Sequence, residues 1–284
     1  MATGGVPRTR TALRELLRAR GLHPSRLRGQ RFLVDPNLVE AVVRSAGVGP
    51  RDCVLEVGTG SGILTERLAE RAGCVVTCEI DARLQELARG VREWPDRVVF
   101  LRADVLEAKH RLSPEVMERW TAEARRRGLE LQVVSSLPYA VATPFLANLL
   151  WEGWPAREAV VLVQREAAER FCARPGGGDY GPMAVAVALL AEARILRRVP
   201  PQVFWPSPRV ESALLRLRPK DVDAARRLRA EGLPELLRRG FGHRRKTLRK
   251  VFPEGRLRRA GLDPGDRPGT VPPEAWLRLL HEPP

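Results

Sequence analysis

Apolar residues along this chain fall into two kinds of run. Short, nearly continuous runs recur at CVLEV (53–57), CVVTC (74–78), VVFLRADVL (98–106), VVSS (133–136) and AVVLV (159–163), each bounded by Gly, Pro or charged residues, and they predict buried strands. Between them apolar positions recur at helical spacing. Leu38, Val42 and Val43 follow an Asp35-Pro36 start signal, Ile63, Leu64 and Leu68 follow a glycine cluster, and ARLQELARGVREW (82–94) and 113–132 also read as helical. TALRELLRARGL (11–22) makes an amphipathic N-terminal helix closed by Gly21. MAVAVALLAEARILRRV (183–199) and VESALLRLRP (210–219) suit two last strands, with VPPQVFWPSPR (199–209) between them as a rigid proline loop presenting exposed aromatic faces. Strands alternating with helices predict an α/β, Rossmann-like, doubly wound sheet of seven strands. From about Pro219 the β-character disappears and short helices broken by Gly and Pro take over, which divides the chain into 1–218 and a small helical domain, 219–284.

The short apolar run of Val54 and Leu55 ends in Glu56 and is followed by Gly58, Gly60 and Gly62, then by a helix. Glycines at a strand-to-helix turn allow positive φ and close approach of a ligand, and the first helical turn attracts negative groups. The next strand places Glu79, followed by Ile80, twenty-one residues beyond Gly58, where a carboxylate can accept both ribose hydroxyls of a nucleoside. Ile63 stands where a dinucleotide fingerprint has its third glycine. The loop therefore favours a nucleoside cofactor without phosphates, S-adenosylmethionine, over a dinucleotide; an ordinary αβ turn is the alternative. Asp104, followed by Val105, ends the predicted third strand, either to accept from an adenine amine or to cap the next turn. GQRFL (29–33) is a loop ahead of the glycine strand, either folding over the cofactor or merely connecting.

Composition adds a partner class. Lys and Arg outnumber Asp and Glu by 49 to 34, a formal charge of +15, which suits a polyanion such as nucleic acid, although an Arg-rich composition also follows from GC-rich coding. The basic residues concentrate between Arg238 and Arg259, where ten stand against the single acid Glu254. A solvated helical face would carry both signs, so a phosphate footprint is preferred. Cys53, Cys74, Cys78 and Cys172 show no C-x-x-C spacing, so free thiols in a cytoplasmic protein and no metal are expected. There is no apolar run of about eighteen residues, so no membrane span is expected.

Ser136-Leu137-Pro138-Tyr139 follows the fourth strand, on the same predicted sheet edge as the glycine loop, Glu79 and Asp104. It resembles the [N/D]-[P/L/I]-P-[Y/F] turn of adenine amino-methyltransferases. There a side-chain oxygen and the second backbone carbonyl accept the two protons of the adenine amine, and the aromatic ring stacks on the extruded base. With GQRFL, LEVGTGSGILT (55–65), EID (79–81), AD (103–104), VQREAAER (163–170), GDYGPMAV (178–185), FWPSPRVESALLRL (204–217) and FGHRRKTLRK (241–250), the chain from about Thr11 to Leu280 resembles the KsgA-type small-subunit ribosomal RNA adenine dimethyltransferases. The last two strings lie outside a generic methyltransferase core.

The resemblance implies transfer of four methyl groups from S-adenosylmethionine to two adjacent adenines in a hairpin near the 3′ end of small-subunit rRNA, on an immature small subunit, by a cytoplasmic monomer. It assigns Ser136, Leu137, Pro138 and Tyr139 to catalysis. Gln30, Arg31, Leu33, Gly58, Gly60, Gly62, Glu79, Ile80, Asp104, Val105 and Ser136 go to the cofactor. Phe204, Trp205, Arg244, Arg245, Lys246 and Arg249 go to rRNA. Two positions depart from the family, which has Asn where this chain has Ser136 and Arg31. Serine withdraws the acceptor by about 1 Å, enough to cost about a hundredfold in a positioned reaction, and a guanidinium at 31 is expected to crowd or oppose the sulfonium. A large-subunit rRNA methyltransferase of the resistance type and an rRNA-binding assembly factor with little methylation are the competing expectations.

Overall fold

The computed structural model describes residues 5–25, 29–153 and 155–283. Seven strands share one sheet: β1 (Asp52–Val57), β2 (Cys74–Cys78), β3 (Val98–Leu101), β4 (Glu130–Ser136), β5 (Ala159–Gln164), β6 (Ala191–Val199) and β7 (Ser212–Pro219). Their order is β3-β2-β1-β4-β5-β7-β6. β1 pairs in parallel with β2 and β4, β2 with β3, and β4 with β5. The chain winds outward in both directions from β1 and β4, so the loops leaving their C-terminal ends diverge and open the crevice where such sheets bind ligands. Every residue of β1 is buried, the acids Asp52 and Glu56 included, as in a strand covered on both faces. The Ser135 hydroxyl donates to the Val57 carbonyl (2.7 Å) and accepts from the Val57 amide (3.3 Å), which ties the ends of β1 and β4 together at that crevice.

Helices pack on the sheet where the start signals predict them. α1 (Arg10–Ala19) is capped by Thr9, and α2 (Pro36–Ser45) by Asp35, whose carboxylate accepts from the Asn37 and Leu38 amides at 2.8 and 3.2 Å. α3 (Ile63–Arg71) buries Ile63, Leu64 and Leu68; α4 (Ala82–Gly90), α5 (Pro114–Arg127) and α6 (Tyr139–Glu152) complete this part. The free cysteines Cys53, Cys74 and Cys78 are buried in β1 and β2. No helix among the described residues is long and apolar enough to cross a membrane.

The chain forms two compact units, one of 1–148, 156–165 and 196–216, the other of 149–155, 166–195 and 217–284. The second contains α8 (Pro182–Leu190), α9 (Val222–Ala230), α10 (Leu233–Phe241), α11 (Glu254–Arg259) and α12 (Pro273–His281), with α7 (Arg165–Phe171) starting at its edge. Its core is aromatic: the fully buried Tyr180 meets Phe241 edge-on, Phe241 stacks on Trp276 with centroids 5.3 Å apart, and the Tyr180 hydroxyl donates to the Val271 carbonyl at 2.8 Å. α10 comes so close to Trp276 that a Cβ on Gly240 would meet its ring at 2.4 Å. Glu166–Ile195 thus groups with the stretch from 217 onward.

Three local expectations are corrected. MAVAVALL is not strand but helix α8, starting at Pro182. Its alternation is of Val with Ala, a pattern of size and not of polarity, and Ala184–Val187 and Leu190 are all buried, so no polar face sets a period. The third strand ends at Leu101, not Asp104, because Asp104 turns the chain by accepting from the Leu106 amide at 2.9 Å. The proline loop does not expose both aromatics. Phe204–Trp205 pairs antiparallel with Phe32–Leu33, which leaves Phe204 2% exposed and Trp205 half-buried.

Candidate active site

A cavity of about 240 Å³ opens beside the C-terminal ends of β1 and β4. Gly58 and Gly60 form one wall, Glu79 and Ile80 another, the turn from Ser136 to Val141 a third, and the loop from Gly29 to Phe32 a fourth. The GQRFL loop is therefore part of the cavity wall and not a bare connector. It is held there by Gln30, whose amide donates to Asp81 (3.4 Å) and whose carbonyl oxygen accepts from the Ser25 amide (2.8 Å).

The glycine turn shows why its residue types are required. Gly58, Gly60 and Gly62 have φ of +85°, +56° and +84°, a region closed to most side chains. A Cβ on Gly58 would come within 3.2 Å of Pro138, and one on Gly60 within 3.4 Å of Phe32, so added side chains would narrow the cavity between the walls. The turn is anchored by amides of Gly58 and Thr59 donating to the Cys78 carbonyl (2.8 and 3.3 Å) and by a 2.6 Å hydroxyl pair between Thr59 and Thr77.

Glu79 is buried and faces this cradle. One carboxylate oxygen accepts from the Gly60 amide (3.1 Å), the other from the Asp81 amide (3.0 Å). Burial pushes its pKa up, and the two amide donors oppose that shift. Ile80, next in sequence, is 53% exposed and lines the cavity, an uncovered apolar surface suited to the face of a purine. A nucleoside with its ribose at Glu79 and its base against Ile80 fits these walls, so the residues present suit S-adenosylmethionine, which supplies an electrophilic methyl group.

The Ser136–Tyr139 turn stands opposite. The Leu137 amide donates to the Leu162 carbonyl (3.1 Å), whereas the Leu137 carbonyl accepts no hydrogen bond among the described residues. The Pro138 carbonyl is taken up by the Val141 and Ala142 amides. Ser136 is half-buried, and its hydroxyl has no partner among the described residues. Two acceptors on this turn are thus unengaged among the described residues. The Tyr139 hydroxyl is bonded at 2.9 Å to that of Ser212, which is fully buried, and burial raises the tyrosine pKa while the Ser212 bond and the nearby charge of Arg31 lower it.

Comparison with known proteins identifies the family of this cradle. The family model of ribosomal RNA adenine dimethylases matches residues 25–282. The chain belongs to the ribosomal RNA adenine dimethylase family. A relative from Pelotomaculum thermopropionicum, named ribosomal RNA small subunit methyltransferase A, is 36% identical over 269 residues, covering 94% of this chain and 86% of its own. One of the same name from Caldanaerobacter subterraneus subsp. tengcongensis is 41% identical over 263 residues, covering 89% and 94%. Among solved structures, a dimethyladenosine transferase from Plasmodium falciparum shares the fold (TM-score 0.71, 22% identity, 86% of this chain and 94% of that one). The 23S rRNA methyltransferase ErmE aligns with TM-score 0.61 and 27% identity over 88% of this chain and 98% of its own. This family member is an S-adenosylmethionine-dependent rRNA adenine methyltransferase.

The structure gathers some of the expected residues at the cavity and leaves others outside it. Gln30, Arg31, Gly58, Gly60, Glu79, Ile80, Ser136, Leu137, Pro138, Tyr139 and Phe204 line it. Leu33 borders an adjoining chamber. Gly62 instead starts α3 against Trp94, Asp104 is exposed and spends one oxygen on its own turn, and Val105 is buried outside the cavity wall. In the second unit the Arg244 guanidinium donates to the Gly177 and Gly178 carbonyls, and Arg249 donates to the Pro264 carbonyl (3.4 Å) and approaches Glu254 (3.8 Å). Arg245 and Lys246 are exposed, with no side-chain partner among the described residues.

Three contributors carry weak signals or none in the sequence. Ser212 holds Tyr139 from 73 positions away. Phe32 lies inside GQRFL but shows its role only when its ring is seen against Gly60. Glu56 interrupts an apolar strand one residue before its end, which is its one visible signal. It is 1% exposed, receives the Thr65 hydroxyl at 2.6 Å, and has its pKa pushed up to about 8, chiefly by burial. No cluster of three or more metal-ligating side chains exists among the described residues.

Proposed function

We propose that this protein dimethylates two adjacent adenines in a hairpin near the 3′ end of small-subunit rRNA, acting as a cytoplasmic monomer on an immature small subunit. The observation that carries the reading is the meeting in one cavity of a glycine cradle with Glu79 and a Ser136-Leu137-Pro138-Tyr139 turn that keeps two acceptors unspent. In this reading the Ser136 hydroxyl and the Leu137 carbonyl accept the two protons of the adenine amine and turn its lone pair toward the methyl group. The Tyr139 ring, fixed by Ser212, stacks on the base. No covalent enzyme intermediate is required, so the contribution of the protein is positioning. Residues 1–218 would serve cofactor and base, and 219–284 the rRNA backbone, with Arg245 and Lys246 the most available cations. The names of the bacterial relatives support the small subunit over the large one.

The test is incubation of purified protein with methyl-labelled S-adenosylmethionine and, separately, immature small subunits and large-subunit precursors. Label in two adjacent adenines of small-subunit rRNA is expected. Label in large-subunit rRNA overturns the substrate, and tight binding without label favours the assembly-factor reading that Ser136 and Arg31 motivate.

A further inference from the structure

Arg31 stands where two spaces meet. It lines the main cavity and also an adjoining chamber of about 40 Å³ bordered by Leu33, Glu56, Thr59, Ser61 and Ser136. A single water needs about 10–15 Å³ of such space, so the chamber holds a small polar group of a few heavy atoms. Arg31 is half-buried as a residue, and its side chain makes no hydrogen bond or ion pair among the described residues, although its charge is felt at the Tyr139 hydroxyl. The two acids at these walls are committed elsewhere: Glu79 to the amides of Gly60 and Asp81, and Glu56 to the hydroxyl of Thr65. Glu56, with its pKa near 8, also keeps its proton at neutral pH. A half-buried cation without a counter-ion is unfavourable, and a ligand that brings an anion relieves it.

The cofactor offers one such group. S-adenosylmethionine carries a sulfonium and an ammonium, which a guanidinium repels, and a single carboxylate, which it attracts. With the ribose at Glu79 and the base at Ile80, the amino-acid end is the part left for the chamber. We propose that Arg31 is the positioning residue that pairs with the α-carboxylate of the cofactor and fixes its amino-acid end in the chamber beside Ser136. A guanidinium meets a carboxylate through two parallel hydrogen bonds, a geometry that neither Asn nor Lys reproduces. Arg31 is then an anchor of the methyl donor, and this departure from the family pattern strengthens cofactor binding. The inference rests on the cofactor assignment and not on which rRNA is methylated.

Calorimetry without RNA tests it, with S-adenosylhomocysteine and 5′-methylthioadenosine as ligands, since the second keeps the nucleoside and thioether but lacks the amino-acid end. Arg31→Gln is expected to weaken S-adenosylhomocysteine about tenfold or more, roughly 1.4 kcal/mol, and to leave methylthioadenosine within about twofold. Arg31→Lys, which keeps the charge but not the fork, is expected to fall between wild type and Gln. Equal weakening of both ligands by Arg31→Gln would assign Arg31 to packing and overturn the proposal, as would unchanged binding of S-adenosylhomocysteine. If wild type binds neither ligand, the cofactor assignment falls and takes the proposal with it. If wild type labels rRNA while Arg31→Gln binds S-adenosylhomocysteine normally, only the role of Arg31 is lost.

Discussion

Glu79 accepts from two backbone amides and still faces the cavity, so removing it affects both the ligand and the turn. Glu79→Ala is expected to weaken S-adenosylmethionine by roughly 2–4 kcal/mol, hydrogen bonds to charged groups being the stronger kind. Unchanged calorimetric affinity would place the ribose elsewhere. At Ser136 the free hydroxyl sits about one bond short of where an asparagine oxygen would lie, so Ser136→Asn is expected to raise single-turnover methylation of immature small subunits by about tenfold or more. A native enzyme that the change leaves alone or impairs has its acceptor elsewhere. Tyr139→Phe keeps the stacking ring but strands the buried Ser212 hydroxyl, an expected loss of about 1–3 kcal/mol in urea unfolding. Tyr139→Phe with Ser212→Ala should recover most of it; if the single change costs nothing, the hydroxyl pair is not structural. Glu56 makes a pH-dependent contribution whose sign is fixed by its raised pKa, near 8 when folded against about 4.3 when unfolded. The folded state holds this proton more tightly, so stability falls as pH rises from about 4.3 to 8, by up to about 1.4 kcal/mol per pH unit, and levels off above. Glu56→Gln is expected to remove that slope and to gain most on wild type above pH 8. Parallel pH–stability curves for the two proteins would mean that Glu56 ionises normally.

At the scale of elements, the segment from Arg238 to Arg259 is basic throughout, but its cations have different duties. Arg244 fastens the loop at Gly177 and Gly178, and Arg249 serves the Pro264 carbonyl, whereas Arg245 and Lys246 remain unengaged among the described residues. Neutralising Arg245 and Lys246 together is expected to flatten the log–log salt dependence of rRNA binding by up to about two, with cofactor affinity unchanged. Neutralising Arg244 alone is expected to lower the melting temperature through its carbonyl partners. An unaltered salt slope for the double variant would make this run a solvated surface. The glycine turn was legible because each of its needs, positive φ and close approach to Pro138 and Phe32, admits one residue type. α8 was not legible, since MAVAVALL is apolar on every side and a helix with no polar face reads like a buried strand. Asp104 could serve a ligand or its own turn, and the short path to the Leu106 amide decided for the turn at one of its oxygens.

At the scale of the whole molecule, the units are built from interleaved stretches, so a cut at the boundary of roles is not a cut between folding units. A chain ending at 218 keeps α8 and Tyr180 but removes α10 and α12, Phe241, Trp276 and the Val271 carbonyl that receives the tyrosine hydroxyl. It is expected to expose that apolar face and lose cooperative unfolding. A monomeric 1–218 fragment with a sharp melting transition would contradict this. The sequence by itself determined the α/β class, the glycine turn, the acid at Glu79, the Ser136–Tyr139 turn and the rRNA-dimethylase resemblance, because each is written in adjacent residues or in a fixed spacing along one strand–helix unit. Only the tertiary structure decided that Phe204 is buried against Leu33, that Ser212 holds Tyr139, that Glu56 keeps its proton to about pH 8, and that Arg31 faces the cavity with no anion beside it among the described residues. These are properties of pairs brought together from distant positions and of the water excluded around them, and neither separation nor desolvation leaves a mark on the local order of residues.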